Sequence, residues 1–443
     1  MPEHHQPDFL IVGAGVCGLT VADRLAAAGS RVTVIEREDQ LGGLARTFHY
    51  PEGNFDIGPH RFHTTDETVL RFLDEVLGDD VLHIPRTSLV YFFRHYYRWP
   101  IHPTLHLLRL PPRLIVGVVL DLLFRLYRKR RPSSFEDYIL NMYGRTLYRA
   151  FFRDYSTKFL GITPSETHAD WARTGIDRAI IDERLKINTL FELIKSLFVR
   201  PKGAEIQFRY PRGGIDVFAK KLRDRIVAAG GDVLLGTPAD GVVLNDERIT
   251  EVRAGGRTWQ PKHVVWTASP TALLDMAGET KPDLHFLNLV CFNVVTTKHH
   301  GPEFQWCYFG SQDLVFSRVS RPEAFDPDII AGGRSGLCVE VSSPPEAWDH
   351  PEAFQDQVLD DLIRVDLITG RQDVVAVHIE KVRESYPIYD IGYDEKLAAL
   401  RDRMARVANL SLAGRTGTFW YNNMDHSIAM GLQLAEKLTP GPL

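Results

Sequence analysis

The stretch Phe9-Leu-Ile-Val-Gly-Ala-Gly-Val-Cys-Gly18 constrains this chain more than any other, because an apolar, partly β-branched run feeds straight into three glycines spaced Gly-x-Gly-x-x-Gly. Each glycine meets a separate requirement: Gly13 a sharp turn off the strand end, Gly15 close approach of backbone to a pyrophosphate, Gly18 tight packing of a helix on the sheet. The helix beginning near Gly15 then turns unpaired N–H groups and its positive dipole end toward phosphate. Its body, residues 19–28, carries apolar residues at helical spacing and stops at Gly29, after which Arg31-Val-Thr-Val-Ile-Glu36 reads as a second strand ending in an acid. Glu36 falls near the offset of about 20 residues expected of a carboxylate that accepts from ribose hydroxyls. Strand, glycines, helix, strand and acid in this order predict a dinucleotide site in an α/β fold; the alternative is a nucleotide-free α/β unit.

A second glycine pair follows the acidic strand end, in Leu41-Gly-Gly-Leu-Ala-Arg-Thr47. This stretch resembles the flavin-binding signature of the amine oxidase and protoporphyrinogen oxidase superfamily, which implies FAD as cofactor. Gly42 and Gly43 let the chain run close along a dinucleotide, and the guanidinium of Arg46 suits a phosphate charge. Further on, Gly58-Pro-His-Arg-Phe-His-Thr64 resembles the Gly-x-His-x-Phe-His-Thr motif of UDP-galactopyranose mutases. By that resemblance Gly58 and His60 lie against the flavin, His60 near its reactive nitrogen. His60 and His63 are not read as a metal pair, since no cysteine or carboxylate cluster accompanies them.

The resemblance runs on through most of the chain. A hairpin over residues 86–100, turning at Arg94-His95, is similar to one that supplies substrate contacts in the mutases and nominates Arg86. Tyr155-Ser-Thr-Lys-Phe-Leu-Gly161 resembles a mutase stretch whose tyrosine stacks on uracil, with Leu160 standing where the mutases carry tryptophan. Arg173 and Arg178 fall where a mutase arginine holds the sugar diphosphate, and Arg318 and Tyr386 lie in stretches similar to those that reach the same group. At the end of the chain, a strand ending in Gly414-Arg415 and a helix opening at Met424-Asp425 resemble the elements that close the FAD site; Ala239 is nominated for the adenine end. Phe419-Trp-Tyr-Asn-Asn-Met-Asp425 is similar to a Tyr-x-Tyr-Tyr-Asp-Met motif, keeping Tyr421 but placing Asn422 and Asn423 where tyrosine and aspartate are expected. Tyr155, Tyr386, Tyr421 and Asn422 join the arginines as substrate candidates.

The resulting architecture is α/β: a Rossmann-type FAD-binding domain with an inserted helical lobe and an antiparallel β-sheet substrate domain. The FAD-binding domain is expected in three parts (1–85, 201–270 and 401–443), with a substrate-domain hairpin at 86–104, the helical lobe at 105–200 and the antiparallel sheet at 271–400. Residues 232–244 and the strands through 257 are expected to form an excursion over the adenine end.

The 443 residues are enough for several lobes, and 44% hydrophobic with 25% charged residues describe a globular protein. A basic run, Arg125-Leu-Tyr-Arg-Lys-Arg-Arg131, stands in a chain of net charge -5, too narrow a footprint for nucleic acid. Residues 105–126 are apolar but too interrupted by Arg and Pro to span a bilayer; a buried helix is expected there, with an amphipathic membrane-surface segment as the alternative. Four cysteines without Cys-x-x-Cys spacing and an N-terminus without an apolar signal core suggest reduced thiols in a cytoplasm.

For function, the mutase resemblance implies interconversion of pyranose and furanose forms of a nucleotide sugar, with reduced flavin N5 as nucleophile at the anomeric carbon. His60, Arg178 and Arg318 are the catalytic candidates, and NAD(P)H is a candidate reductant. The alternative is an FAD-dependent oxidase or dehydrogenase of the amine oxidase or protoporphyrinogen oxidase type.

Overall fold

The structure, a computed structural model, describes residues 4–99, 111–124, 132–179, 207–245, 247–342 and 345–439. At its centre a parallel sheet runs in the order Asp232–Leu234, Val32–Ile35, Phe9–Val12, His263–Trp266, Leu410–Leu412. The four residues of Val32–Ile35 are all buried, as expected for strands covered by helices on both faces. Helix Val16–Ala27 packs against helices Asp216–Ala228 and Met424–Leu438, and Arg225 bridges to the buried carboxylate of Asp23 at 2.6 Å. The next strand in sequence lies on one side of Phe9–Val12 and the return strand His263–Trp266 on the other. The carboxyl end of Phe9–Val12 is therefore the switch point at which such sheets open a crevice.

A seven-stranded sheet forms the second body, in the order Val374–Pro387, Phe286–Thr296, Ser335–Ser342, Arg318–Ser320, Trp306–Phe309, Ser88–Phe92, His95–Arg98. Its pairings are antiparallel except that Trp306–Phe309 runs parallel to Ser88–Phe92. Alternation along the strands sorts their side chains: Val290, Phe292, Val319, Val339 and Val341 pack with Val358 and Leu362 of helix Gln355–Arg364, while Arg318 and Glu340 turn to the opposite face.

Three expectations need correction. Strand Asp232–Leu234 belongs to the parallel sheet, beside Val32–Ile35, and only residues from Ala239 onward enter the separate four-stranded sheet. Helix Asp216–Ala228 leads into this strand and packs against it. The hairpin turns one residue early, at Phe93-Arg94, both of which take positive φ (50° and 62°), the backbone twist that matches a two-residue hairpin.

The third concerns helix Pro112–Phe124, whose Ile115, Val116, Leu120 and Leu123 are exposed rather than buried, Val116 and Leu123 by 57%. The helix meets its neighbour Phe135–Leu147 through its small and polar positions. A Cβ on Gly117 would lie 2.7 Å from Thr146 Oγ1, and Asp121 accepts from the Thr146 N–H at 2.6 Å. The flanking residues of the expected 105–131 segment, including the whole basic run at 125–131, lie outside the described residues. Among the described residues no helix is long and apolar enough to cross a membrane.

Candidate active site

The crevice at the switch point deepens into a cavity of about 740 Å³ that runs from the glycine loop to the cavity face of the seven-stranded sheet. Gly13 and Gly18 determine its first wall. At Gly13, φ is +107° and a Cβ would fall 2.3 Å from Thr267 Oγ1; at Gly18 a Cβ would fall 2.2 Å from the Gly13 carbonyl oxygen. Only glycines let strand, turn and helix close to this distance. Gly15, at the N-cap of helix Val16–Ala27, has no side chain to cap it, so the first-turn amides face the cavity unsatisfied. The second pair closes against the first through a bridge between Gly15 and Gly42, with Gly43 alongside.

Glu36 sits at the end of Val32–Ile35, where Oε2 accepts from the Ala14 N–H at 2.7 Å and Oε1 from the Glu38 N–H at 3.0 Å. Its carboxylate is thereby fixed on the cavity wall with lone pairs left over for hydroxyl donors. Arg46 lines the same wall, its Nε buried without a partner, and Ala239 lies beyond Thr237, whose N–H donates to the Glu36 carbonyl. Uncapped amides, an orphaned guanidinium nitrogen, a fixed carboxylate and seams that a Cβ would block together fit a dinucleotide.

The other end gathers His60, Arg318, Tyr386, Arg415, Tyr421, Asn422, Met424 and Asp425 on the cavity wall. Arg318 holds the buried Glu340 carboxylate in a fork, Nε to Oε1 at 2.5 Å and Nη2 to Oε2 at 2.6 Å, and donates to Tyr386 Oη at 3.1 Å. Register places them: Arg318 and Glu340 are direct antiparallel partners. Arg415 donates to the Asn422 carbonyl at 2.9 Å and to the Ser385 carbonyl, and its guanidinium lies against the rings of Tyr386 (4.6 Å) and Tyr421 (4.5 Å). Trp171 stacks on Tyr421 at 5.3 Å and meets Tyr386 edge-on at 6.4 Å. Helix Met424–Leu438 begins here with no side-chain cap on its amides.

His60 is held neutral. Burial, then the charges of Arg318, Arg415 and Arg61, push its pKa down to about 3. Its unfolded value is near 6.5, so between these values the unfolded chain binds a proton that the folded chain refuses. Stability from this site is complete above about pH 6.5 and drains as pH falls toward 3. We expect wild type to lose on the order of 1–2 kcal/mol more than His60→Gln between pH 7 and pH 5, measured by denaturant unfolding. Asp56, buried and pushed up to about 7 by that burial, acts in the opposite direction in both proteins and cancels in the comparison. Equal losses would contradict a neutral buried imidazole.

Several candidates stand elsewhere than on the wall. Gly58 lies beneath the ion pair, where a Cβ would meet Glu340 Oε1 at 2.5 Å; it makes room for the Arg318–Glu340 fork rather than facing the cavity. Tyr155 stacks on Phe159 and meets Tyr308 edge-on at 6.1 Å, one layer behind the wall. Arg86 is also one layer back, bonded to Ser88 Oγ at 3.2 Å. Arg173 pairs with Asp170 on the surface at 2.7 Å. Arg178 is on helix Asp170–Ala179, but its side chain lies outside the described residues. Arg61, Tyr308 and Glu340 line the cavity without having been singled out. Arg61 occupies the variable position of the Gly-x-His-x-Phe-His-Thr motif, the one signal that could have found it. Among the described residues no cluster of three metal-ligating side chains occurs.

A parallel sheet with a dinucleotide cradle at its switch point, opening onto an aromatic and arginine-rich chamber under a second sheet, defines a two-body flavoenzyme. The sequence profile of flavin containing amine oxidoreductases matches residues 16–438, and the chain belongs to that family. Its cofactor is FAD, and it is a flavin-dependent enzyme of the amine oxidase superfamily.

The "Probable UDP-galactopyranose mutase" of Klebsiella pneumoniae is 26% identical over 178 residues, covering 37% of this chain and 43% of that protein. The dTDP-fucopyranose mutase of Escherichia coli is 26% identical over 176 residues, covering 36% and 43%. These alignments thus span less than half of either relative. In three dimensions the likeness is wider: the crystal structure of a reduced UDP-galactopyranose mutase superposes with a TM-score of 0.82 at 19% identity, over 98% of this chain and 95% of that one.

Proposed function

We propose that this enzyme interconverts the pyranose and furanose forms of a nucleoside-diphosphate sugar. The observation that carries the reading is the sharing of one cavity by the dinucleotide cradle and by the His60, Arg318, Tyr386 cluster. Relatives named as mutases of two different nucleotide sugars support it. FAD, bound along Gly13, Gly15, Glu36 and Arg46, supplies in its reduced form an electron-rich nitrogen that can attack an anomeric carbon.

The chain's own residues do the rest. When a nucleoside diphosphate departs, negative charge grows on its oxygens, and donors already aimed at that point stabilise the transition state more than the ground state. Arg318 is such a donor, since Glu340 occupies Nε and Nη2 and leaves Nη1 without a protein partner among the described residues. Tyr386 Oη, fixed by Arg318 and by the Arg415 guanidinium against its ring, is the second. His60, neutral, adds no cation to the face where the anomeric carbon becomes positive. Arg178 is assigned to the same diphosphate from its sequence position.

The substrate differs from that of the mutases with the full motif set. Leu160 is buried in the core, 2% exposed, where those enzymes place tryptophan. Asn422 and Asn423 line the cavity in place of tyrosine and aspartate, with Asn422 Nδ2 unpartnered and free to donate to a sugar hydroxyl. The second reading, oxidation of an amine or a ring carbon by FAD, is favoured by the family profile and by short matches to L-amino acid oxidases. Anaerobic incubation of dithionite-reduced enzyme with a panel of nucleotide sugars separates the two. Ring-isomerised product over many turnovers is expected, whereas reduction of the oxidised flavin by an amine, with no isomerisation, would contradict the mutase reading.

A further inference from the structure

Charge in the cavity does not balance. Arg318 is neutralised by Glu340, and Arg37 is met by Glu38 and Glu384. Arg61 and Arg86 have no carboxylate partner among the described residues. Arg61 lines the cavity with Nη1 donating to the Pro59 carbonyl at 2.9 Å, while its Nε is buried with no partner. Its guanidinium lies 4.5 Å from the centre of the Trp306 ring and 5.1 Å from Phe208, and the guanidinium of Arg86 lies 5.7 Å from the same Trp306 ring. Trp306 Nε1 is itself buried and unpartnered. Arg61 Nε and Trp306 Nε1 are therefore buried donors with no acceptor among the described residues, an arrangement that is expensive unless a ligand supplies one, while Arg86 gives its Nε to Ser88 Oγ at 3.2 Å and adds an unneutralised charge beside them.

We propose that Arg61, held on Trp306 and backed by the charge of Arg86 one layer behind the wall, forms an oxyanion subsite of the cavity, distinct from the Arg318–Tyr386 pair, that takes a carboxylate or phosphate group of the substrate. The Trp306 and Phe208 rings hold the Arg61 guanidinium and strip its water, which suits it to contact with an oxyanion. Its condition fits: burial, first, pushes Arg61 down to about 10, the charges of Arg86 and Arg318 add to that fall, and burial also lowers Arg86. A bound anion would reverse that penalty. His63, also on this part of the wall, is pushed down in pKa by burial and by the Arg61 and Arg86 charges against the opposing charge of Asp425, so it brings no competing cation near neutral pH.

This deepens the nucleotide-sugar reading and rests on it for the identity of the ligand. Two sources could provide the oxyanion: the diphosphate itself, or an acidic sugar such as a uronate.

The test uses FAD-loaded wild type, Arg61→Gln, Arg61→Lys and Arg86→Gln, titrated by calorimetry with inorganic pyrophosphate, UDP, UDP-glucose and UDP-glucuronate. The glutamine variants should bind at least one probe about 10- to 100-fold more weakly, as expected for a lost charge-assisted contact. Arg61→Lys should recover part of it. Loss confined to UDP-glucuronate assigns the subsite to an acidic sugar, and equal loss for UDP, UDP-glucose and pyrophosphate assigns it to the diphosphate. Affinities within twofold of wild type for all four probes in both glutamine variants would overturn the proposal. If no nucleotide binds wild type, the mutase reading falls, and pyrophosphate alone then decides the oxyanion subsite.

Discussion

Gly18→Val should purify folded but colourless, with FAD affinity reduced at least about 100-fold. The new side chain would begin 2.2 Å from the Gly13 carbonyl oxygen and 3.3 Å from Ile11 Cγ2, and the first of these is backbone that no rotamer change can move aside. Helix Val16–Ala27 must lift from strand Phe9–Val12, at a packing cost of about 1–3 kcal/mol. That is tolerable for the fold, but its amides no longer meet phosphate oxygens, and each charge-assisted hydrogen bond lost is worth about 1.5–3 kcal/mol. Gly29→Ala is the control: a Cβ there meets nothing within 4 Å, so the cost is confined to its positive φ and flavin should be retained. The ratio of flavin to protein absorbance reads both outcomes. Stoichiometric flavin in Gly18→Val would mean that the cradle is not where FAD binds.

The second large effect concerns the Arg318–Glu340 pair. Glu340 is 1% exposed, so Arg318→Met strands a carboxylate in the interior and should destabilise the enzyme by about 3–5 kcal/mol. Removing both charges, in Arg318→Met/Glu340→Leu, should restore most of that stability, because an apolar pair of similar volume escapes the desolvation penalty. Function should not return with it. Nucleoside diphosphate affinity should stay about 10- to 100-fold down in the double variant, since the guanidinium is what the phosphate meets. Denaturant unfolding at fixed FAD concentration, with UDP titration of the same samples, measures the two quantities separately. A double variant that regains both would reduce Arg318 to a structural residue.

What could be read in the sequence follows the range of the interactions involved. Gly13, Gly15 and Gly18 are legible because their constraints are local: a turn, a close approach and a helix seat within ten residues. Glu36 is legible for the same reason, sitting at the end of a strand whose four residues are apolar or β-branched. The short strand Asp232–Leu234 carries no such signal; its three residues are placed by pairing with Val32–Ile35 from far away in the chain.

The same holds at the chamber. Arg318 was nominated by a local motif, but its partner Glu340 depends on strand register, and nothing in either stretch announces that they meet. Arg61 sits inside a motif at the position the motif leaves free, so the motif marks His60 beside it and not Arg61 itself. On helix Pro112–Phe124 the apolar positions are evident, but which face turns inward was decided by Gly117 and Asp121 meeting Thr146 on another helix.

The central claim is that a nucleoside diphosphate and the flavin share the chamber between His60 and Arg318. A crystal structure of the dithionite-reduced, FAD-loaded enzyme with UDP measures this directly. The expected electron density shows the isoalloxazine ring beside His60 and the diphosphate within hydrogen-bond distance of Arg318 and Tyr386. A diphosphate bound outside this chamber, or a flavin ring remote from His60, would contradict it.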